Sequence, residues 1–133
     1  MADADSFLNA LEKATDALFY ISETDAEIVP FIGREVDAVT AEAIVELAGA
    51  DDDATVEVIS ADAFFERLTT HKDWFGDREK KRAERFAKVH EILKAELTEM
   101  AVVRIGRVRI DIIVAGRDRD GRLAGIRTWA VET

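Results

Sequence analysis

Few residues in this chain have types and spacings that could do chemistry unaided. His71 lies in "TTHKDWFGD", two residues before Asp73, and could in principle act as a general base. A base also needs an orienting partner and a nucleophile, and no third group stands at a diagnostic spacing. His90 follows Phe86 by four residues and precedes Leu93 by three, which places it beside an apolar helical stripe as a packing residue. Asp51, Asp52 and Asp53 lack the ligand and glycine spacing of a calcium loop and read as a solvated turn. "GRDRDG" offers only Gly116 and Gly121 and no helix behind them, so it reads as a turn rather than a phosphate cradle. With no cysteine, thiol catalysis, disulfides and Cys-ligated zinc are excluded. These readings argue against an enzyme, against a bound cofactor and against a metal site in the free protein.

Three stretches suit recognition better. Glu23 stands in "ISETD" directly after an apolar helix; its ordinary reading is a loop or capping glutamate. Asp73-Trp74 sits among charged residues, where a tryptophan either pins a loop to the core or anchors a partner. The stretch "TWAVET" alternates like a strand and closes on Thr133.

The net charge is −10 and unevenly spread: residues 1–60 hold 15 acidic and 2 basic side chains, residues 61–133 hold 13 and 16. The acidic half would repel phosphates, which disfavours direct nucleic-acid binding and suits a partner with a basic face, although an acidic surface also serves plain solubility. "MADADSFLNA" lacks the basic start and apolar core of a signal peptide, and no apolar run reaches membrane-spanning length. A cytoplasmic, non-membrane protein is expected.

The length of 133 residues fits one domain, residues 1–133. Phe7, Leu8, Leu11, Ala14, Leu18 and Phe19 predict a first helix to about Leu18, capped by Asp5 or Ser6. "EIVPFIG" reads as a short strand that Pro30 confines to an edge or bulge. Thr40 opens a helix that Gly49 stops; "TVEVIS" is a strand; Ser60 caps another helix. "DREKKRAERFAKVHEILKAEL" is the longest helix, its buried stripe marked by Phe86, Val89, Leu93 and Leu97. "AVVRIG" and "RVRIDIIVAG" turn at Gly106, and Asp120-Gly121 signals a hairpin. A two-residue turn there sets Ile112 opposite Trp129. Ile110, Ile112 and Val114 then share one face with Trp129 and Val131, and Ile113, Ala115, Ile126 and Ala130 share the other. Both faces are apolar, so helices should cover both. The class is α+β: a single-domain α/β/α sandwich with a mainly antiparallel central sheet and a C-terminal β-meander.

In order and spacing, "SE" (Ser22, Glu23), "DAFFERLT", "DW" (Asp73, Trp74), the charged helix, "RIGRVRIDIIVAG", "LAGIRT" and the closing "VET" resemble the nuclease A inhibitor family over nearly the whole chain. That family consists of small acidic intracellular proteins that block a sugar-non-specific ββα-metal endonuclease, and its fold is an α/β/α sandwich. The resemblance implies a non-enzymatic inhibitor whose partner-binding residues are Glu23, Asp73, Trp74 and Thr133. In that picture Thr133 enters the nuclease active site and approaches its catalytic Mg²⁺, while Glu23 and Asp73 pair with phosphate-clamping arginines and Trp74 fills a pocket between them. The chain departs from the family pattern where Ala26-Glu27 replaces an aromatic–proline pair after "SE". The alternative is an acidic interaction module for a partner that is not a nuclease.

Overall fold

A computed structural model describes residues 4–51 and 53–133. The elements run α1 (Ala4–Thr15), β1 (Phe19–Ile21), β2 (Asp25–Glu27), β3 (Val29–Glu35), α2 (Ala41–Ala48), β4 (Val56–Ile59), α3 (Ala61–Thr69), α4 (Asp77–Glu96), β5 (Thr98–Ile105), β6 (Arg109–Arg117) and β7 (Arg122–Val131). Five strands form one antiparallel sheet in the order β3-β7-β6-β5-β4, and β1 pairs with β2 in a separate hairpin. The last three strands run one after another as a meander.

Helices cover both faces of the sheet. On the first, α1, α3 and α4 bury Leu11, Phe64, Phe65, Phe86, Val89 and Leu93 against Val102, Ile110, Ile112, Val114 and Ile126. On the second, Ile44 of α2 packs on Val103, Ile105, Ile113, Ala115 and Leu123. The expected sandwich is therefore present, with a thick helical layer on one side and a thin one on the other.

Local chemistry sets the boundaries. The Thr40 hydroxyl accepts the Ala43 N–H at 3.1 Å and the Ser60 hydroxyl the Ala63 N–H at 3.0 Å, so both expected caps form. Gly49 ends α2 with φ 70°. All four stripe residues expected on or just after α4 are buried. Pro30 lies on β3, an edge strand, where a missing N–H costs no ladder bond.

Two expectations fail at the start of the chain. The first helix ends at Thr15, not Leu18, and Asp5 and Ser6, expected at its start, lie within Ala4–Thr15; residues 1–3 lie outside the described residues. Beyond Leu18 the chain forms the β1–β2 hairpin, whose three-residue strands are too short to leave a periodic signal.

The β6–β7 register also differs by one residue. Four residues, Asp118 to Gly121, make the turn, and Arg117 faces Leu123. The Asp118 carboxylate accepts the N–H groups of Asp120 and Arg122, both at 2.9 Å, and the Asp118 carbonyl accepts the Gly121 N–H at 3.0 Å, with Gly121 at φ 78°. That side-chain-braced turn displaces the pairing, and a one-residue slip moves every β7 side chain to the opposite face. Ile112 therefore faces Thr128, and Trp129 faces Asp111. Ile126 and Ala130 join Ile112 on the first face. Trp129 is not buried with Ile112; it lies half-buried on the second face, with the Arg109 guanidinium 4.2 Å above its ring.

Candidate functional site

The end of the main sheet at which β7 finishes gathers two turns around residues 131–133. Ser22, Glu23 and Thr24 form the β1–β2 turn, where the Ser22 N–H donates to the Thr24 carbonyl at 2.9 Å. The Val131 N–H donates to the Ser22 hydroxyl at 3.0 Å, and the Glu23 N–H to the Val131 carbonyl at 3.3 Å. The Thr133 N–H donates to Glu23 Oε2 at 2.7 Å, and the Thr133 hydroxyl donates to Glu23 Oε1 at 2.8 Å. One carboxylate thus grips both donors of a residue 110 positions away.

The intervening residue is held from the other side. Glu132 donates its N–H to the Val108 carbonyl in the β5–β6 turn at 2.9 Å. Its carboxylate pairs with Arg104 of β5, whose Nε also lies 3.5 Å from Glu57 of β4. Residues 131 and 133 are therefore bound by one turn and residue 132 by another, the alternation a strand imposes. Glu23 and Thr133 remain exposed, so the fixed groups face solvent.

Aromatic packing supports the hairpin from beneath. Ala26 is buried opposite Tyr20 in the β1–β2 pair. The Tyr20 ring stacks on Phe64 of α3 at 5.9 Å. Burial pushes the Tyr20 phenol above its ordinary value, against the pull of Arg104 and Arg67.

Asp73 and Trp74 occupy the loop between α3 and α4. Trp74 is 73% exposed and meets Phe75 edge-on at 4.8 Å. This exposure is unusual for so large an apolar ring, and it means that Trp74 does not pin the loop to the core. The Phe75 N–H donates to the Lys72 carbonyl at 3.0 Å, which folds the loop tightly under the ring. The α4 start is fixed by Glu79, which accepts the Gly76 N–H at 3.1 Å. Among the described residues no hydrogen bond, ion pair or ring contact joins Asp73 or Trp74 to the Glu23–Thr133 pair. The structure thus unites two of the four expected site residues and leaves the other two on a separate loop.

Neither histidine is built into a catalytic arrangement. His71 is exposed and tilts against Phe75 at 6.2 Å. His90 stacks on Phe65 at 4.2 Å, with Nε2 3.7 Å from Asp62. Among the described residues no group of three or more His, Asp or Glu side chains is placed to hold a metal, and no helix is long and apolar enough to cross a membrane. Sequence reasoning missed Arg104 and the Val108 carbonyl; the lone arginine inside the apolar strand "AVVRIG" is a signal that could have found the former.

A search of curated proteins returned no match. The family model described as nuclease A inhibitor-like protein matches residues 5–133, nearly the whole chain. That family supports nuclease inhibition in general, a nuclease as partner and a non-catalytic role. With the helix-covered antiparallel sheet in place, the match settles the lineage: the chain belongs to the nuclease A inhibitor-like family.

Proposed function

We infer that this protein is a cytoplasmic inhibitor of a Mg²⁺-dependent, sugar-non-specific ββα-metal endonuclease, and that Glu23, Asp73, Trp74 and Thr133 are its contact residues. The observation that carries this reading is the double hydrogen bond from Thr133 to Glu23. It presents a rigid, oxygen-rich point on the end of a five-stranded sheet, the kind of group a hard cation such as Mg²⁺ accepts in place of phosphate oxygens. Binding a prearranged group avoids the ordering cost a loose tail would incur.

Glu23 has capacity for two tasks. A carboxylate offers about four lone-pair sites, and Thr133 uses two. The remainder can accept a phosphate-clamping arginine of the nuclease. Asp73 offers a second carboxylate, and Trp74 supplies the apolar anchor typical of an interface hot spot. The acidic surface would speed encounter with a basic, nucleic-acid-binding face.

The test is a cleavage assay with both DNA and RNA substrates, in which the protein is titrated into a ββα-metal nuclease at fixed Mg²⁺. Stoichiometric loss of cleavage on both substrates is expected, and it should persist at saturating Mg²⁺, because the inhibitor occupies the site rather than removing the metal. Full activity at excess inhibitor against each such nuclease encoded in the same genome would overturn the reading and favour a partner that is not a nuclease.

A further inference from the structure

Strand β4 closes one side of the sheet and pairs only with β5. The Thr55 carbonyl accepts the Gly106 N–H at 2.9 Å, so at Thr55 the backbone points inward to β5. Backbone direction alternates along a strand, so Glu57 also bonds inward while the N–H and C=O groups of Val56 and Val58 point outward. Among the described residues no hydrogen bond from a turn or loop meets those outward groups. Their side chains are also uncovered: Val56 is 41% and Val58 56% exposed. Edge strands in natural proteins are usually blunted by a lysine, a proline or a bulge. β4, "VEVI", is short and carries the charge of Glu57, but has no lysine, proline or bulge.

Beside this edge runs a groove of about 630 Å³ between β4 and α2, lined by Ala41, Val45, Ala50 and Val56 with Glu42 and Glu46. Asp51 and Asp53 precede the strand, and Glu57 lies on it. Of the nearby cations, Arg34 is paired with Glu46, Arg104 with Glu57 and Glu132, and Arg107 donates to Thr55. The groove is apolar at its floor, with Glu42 at its rim and Asp51 and Asp53 ahead of the strand, while Glu46 and Glu57 each already meet one arginine. A second copy of this chain would bring the same acids face to face, which opposes self-pairing.

We propose that the free edge of β4 binds an extended, cationic peptide segment as a sixth strand, with alternate apolar side chains entering the groove against α2. Main-chain hydrogen bonds to Val56 and Val58 provide the pairing, and the period-two alternation of a strand sets apolar residues beside the valines on the α2 side and lysines or arginines beside Glu57 on the opposite side. The proposal does not rest on the nuclease reading, and it meets the Thr133 end of the sheet only through Arg104, which pairs with both Glu57 and Glu132.

The probe is a synthetic six-residue peptide alternating lysine and valine, with a glutamate–valine counterpart as control. Hydrogen exchange of the full protein is monitored by ¹⁵N NMR. The lysine–valine peptide should slow exchange at the Val56 and Val58 N–H groups by about tenfold or more, and the glutamate–valine peptide should not. Val58→Pro removes an outward N–H that no internal ladder bond uses, and peptide affinity should fall at least tenfold. Val58→Lys keeps the N–H but adds charge and removes the apolar contact, and should give a similar loss if the proline variant fails to fold. Deleting Thr133 should leave peptide binding unchanged. The proposal is overturned if millimolar lysine–valine peptide leaves those exchange rates unaltered, if both peptides protect equally, or if light scattering shows a dimer that already protects these amides.

Discussion

Glu23 and Thr133, 110 residues apart, are joined through both oxygens of one carboxylate: one accepts the Thr133 N–H at 2.7 Å and the other its hydroxyl at 2.8 Å. The ladder of β7 is thereby extended past Val131 by a side chain standing in for a neighbouring strand. An exposed pair of this kind contributes little to stability.

Replacing Glu23 with alanine should therefore release Thr133 while leaving the fold alone. Inhibition of the nuclease is expected to fall at least tenfold with a melting temperature within a degree or two of the parent. Glu23→Gln keeps an acceptor for one of the two donors and should fall between. A drop in melting temperature matching the drop in inhibition would make the pair a structural staple instead.

Thr133 itself should matter for inhibition and little for folding. Its deletion removes both donors that the Glu23 carboxylate holds, and inhibition is expected to fall at least tenfold with the melting temperature nearly unchanged. Thr133→Val retains shape but loses the hydroxyl bond and should cost less than deletion. A tag fused after Thr133 should abolish inhibition while the same tag at the other end is harmless. Equal inhibition by the two tagged proteins would remove Thr133 from the contact surface.

The two tryptophans should separate cleanly. Trp74→Ala should leave melting unchanged and weaken partner binding by about 2 kcal/mol or more, the behaviour of a hot-spot ring. Trp129, half-buried beneath Arg109, has a different part. Its replacement by alanine removes a cation–π contact of about 0.5–1 kcal/mol and some packing. It should destabilise the fold by less than Phe65→Ala, for which about 3–5 kcal/mol is expected at a fully buried site. Chemical denaturation of the three variants gives the ranking directly.

His90 gives the fold an acid sensitivity of defined sign. Burial lowers its pKa, with Lys94 adding to the effect and Asp62 opposing it. The unfolded chain therefore binds a proton more readily than the folded one. Stability from this residue is complete above the unfolded value of about 6.5 and declines as pH falls toward the lower folded value. Between pH 7 and 5.5, unfolding free energy should fall more steeply in the parent than in His90→Phe, which keeps the stack on Phe65. Parallel curves would show that His90 does not titrate in that window.

Most of the architecture could be read in the residues because it is set by local signals. Thr40, Ser60 and Gly49 bound their helices through their own side chains or backbone, and Phe86, Val89, Leu93 and Leu97 announce a stripe by spacing alone. The β6–β7 register could not be read this way. It turns on whether Asp118 folds its carboxylate back onto two backbone donors, and composition offers Asp118 and Asp120 as equal candidates. The β1–β2 hairpin escaped for want of length. At the site, Glu23 and Thr133 were each legible by resemblance, but their mutual contact depends on β7 passing beside a turn from the far end of the sequence. Trp74 was legible as an exposed ring because charged neighbours surround it, and Trp129 was misplaced by the slipped register.

The clasp has a consequence for how the protein comes into being. Glu23 finds Thr133 only after the hairpin, the helical layer and the meander have all assembled, since the contact closes a loop of 110 residues and offers no reward before the strands between are in place. A half-folded chain with intact helices but an unfinished sheet has no clasp. Inhibitory power and completed folding should therefore appear together in a refolding experiment, and a nuclease assay run during refolding becomes a clock for the last step.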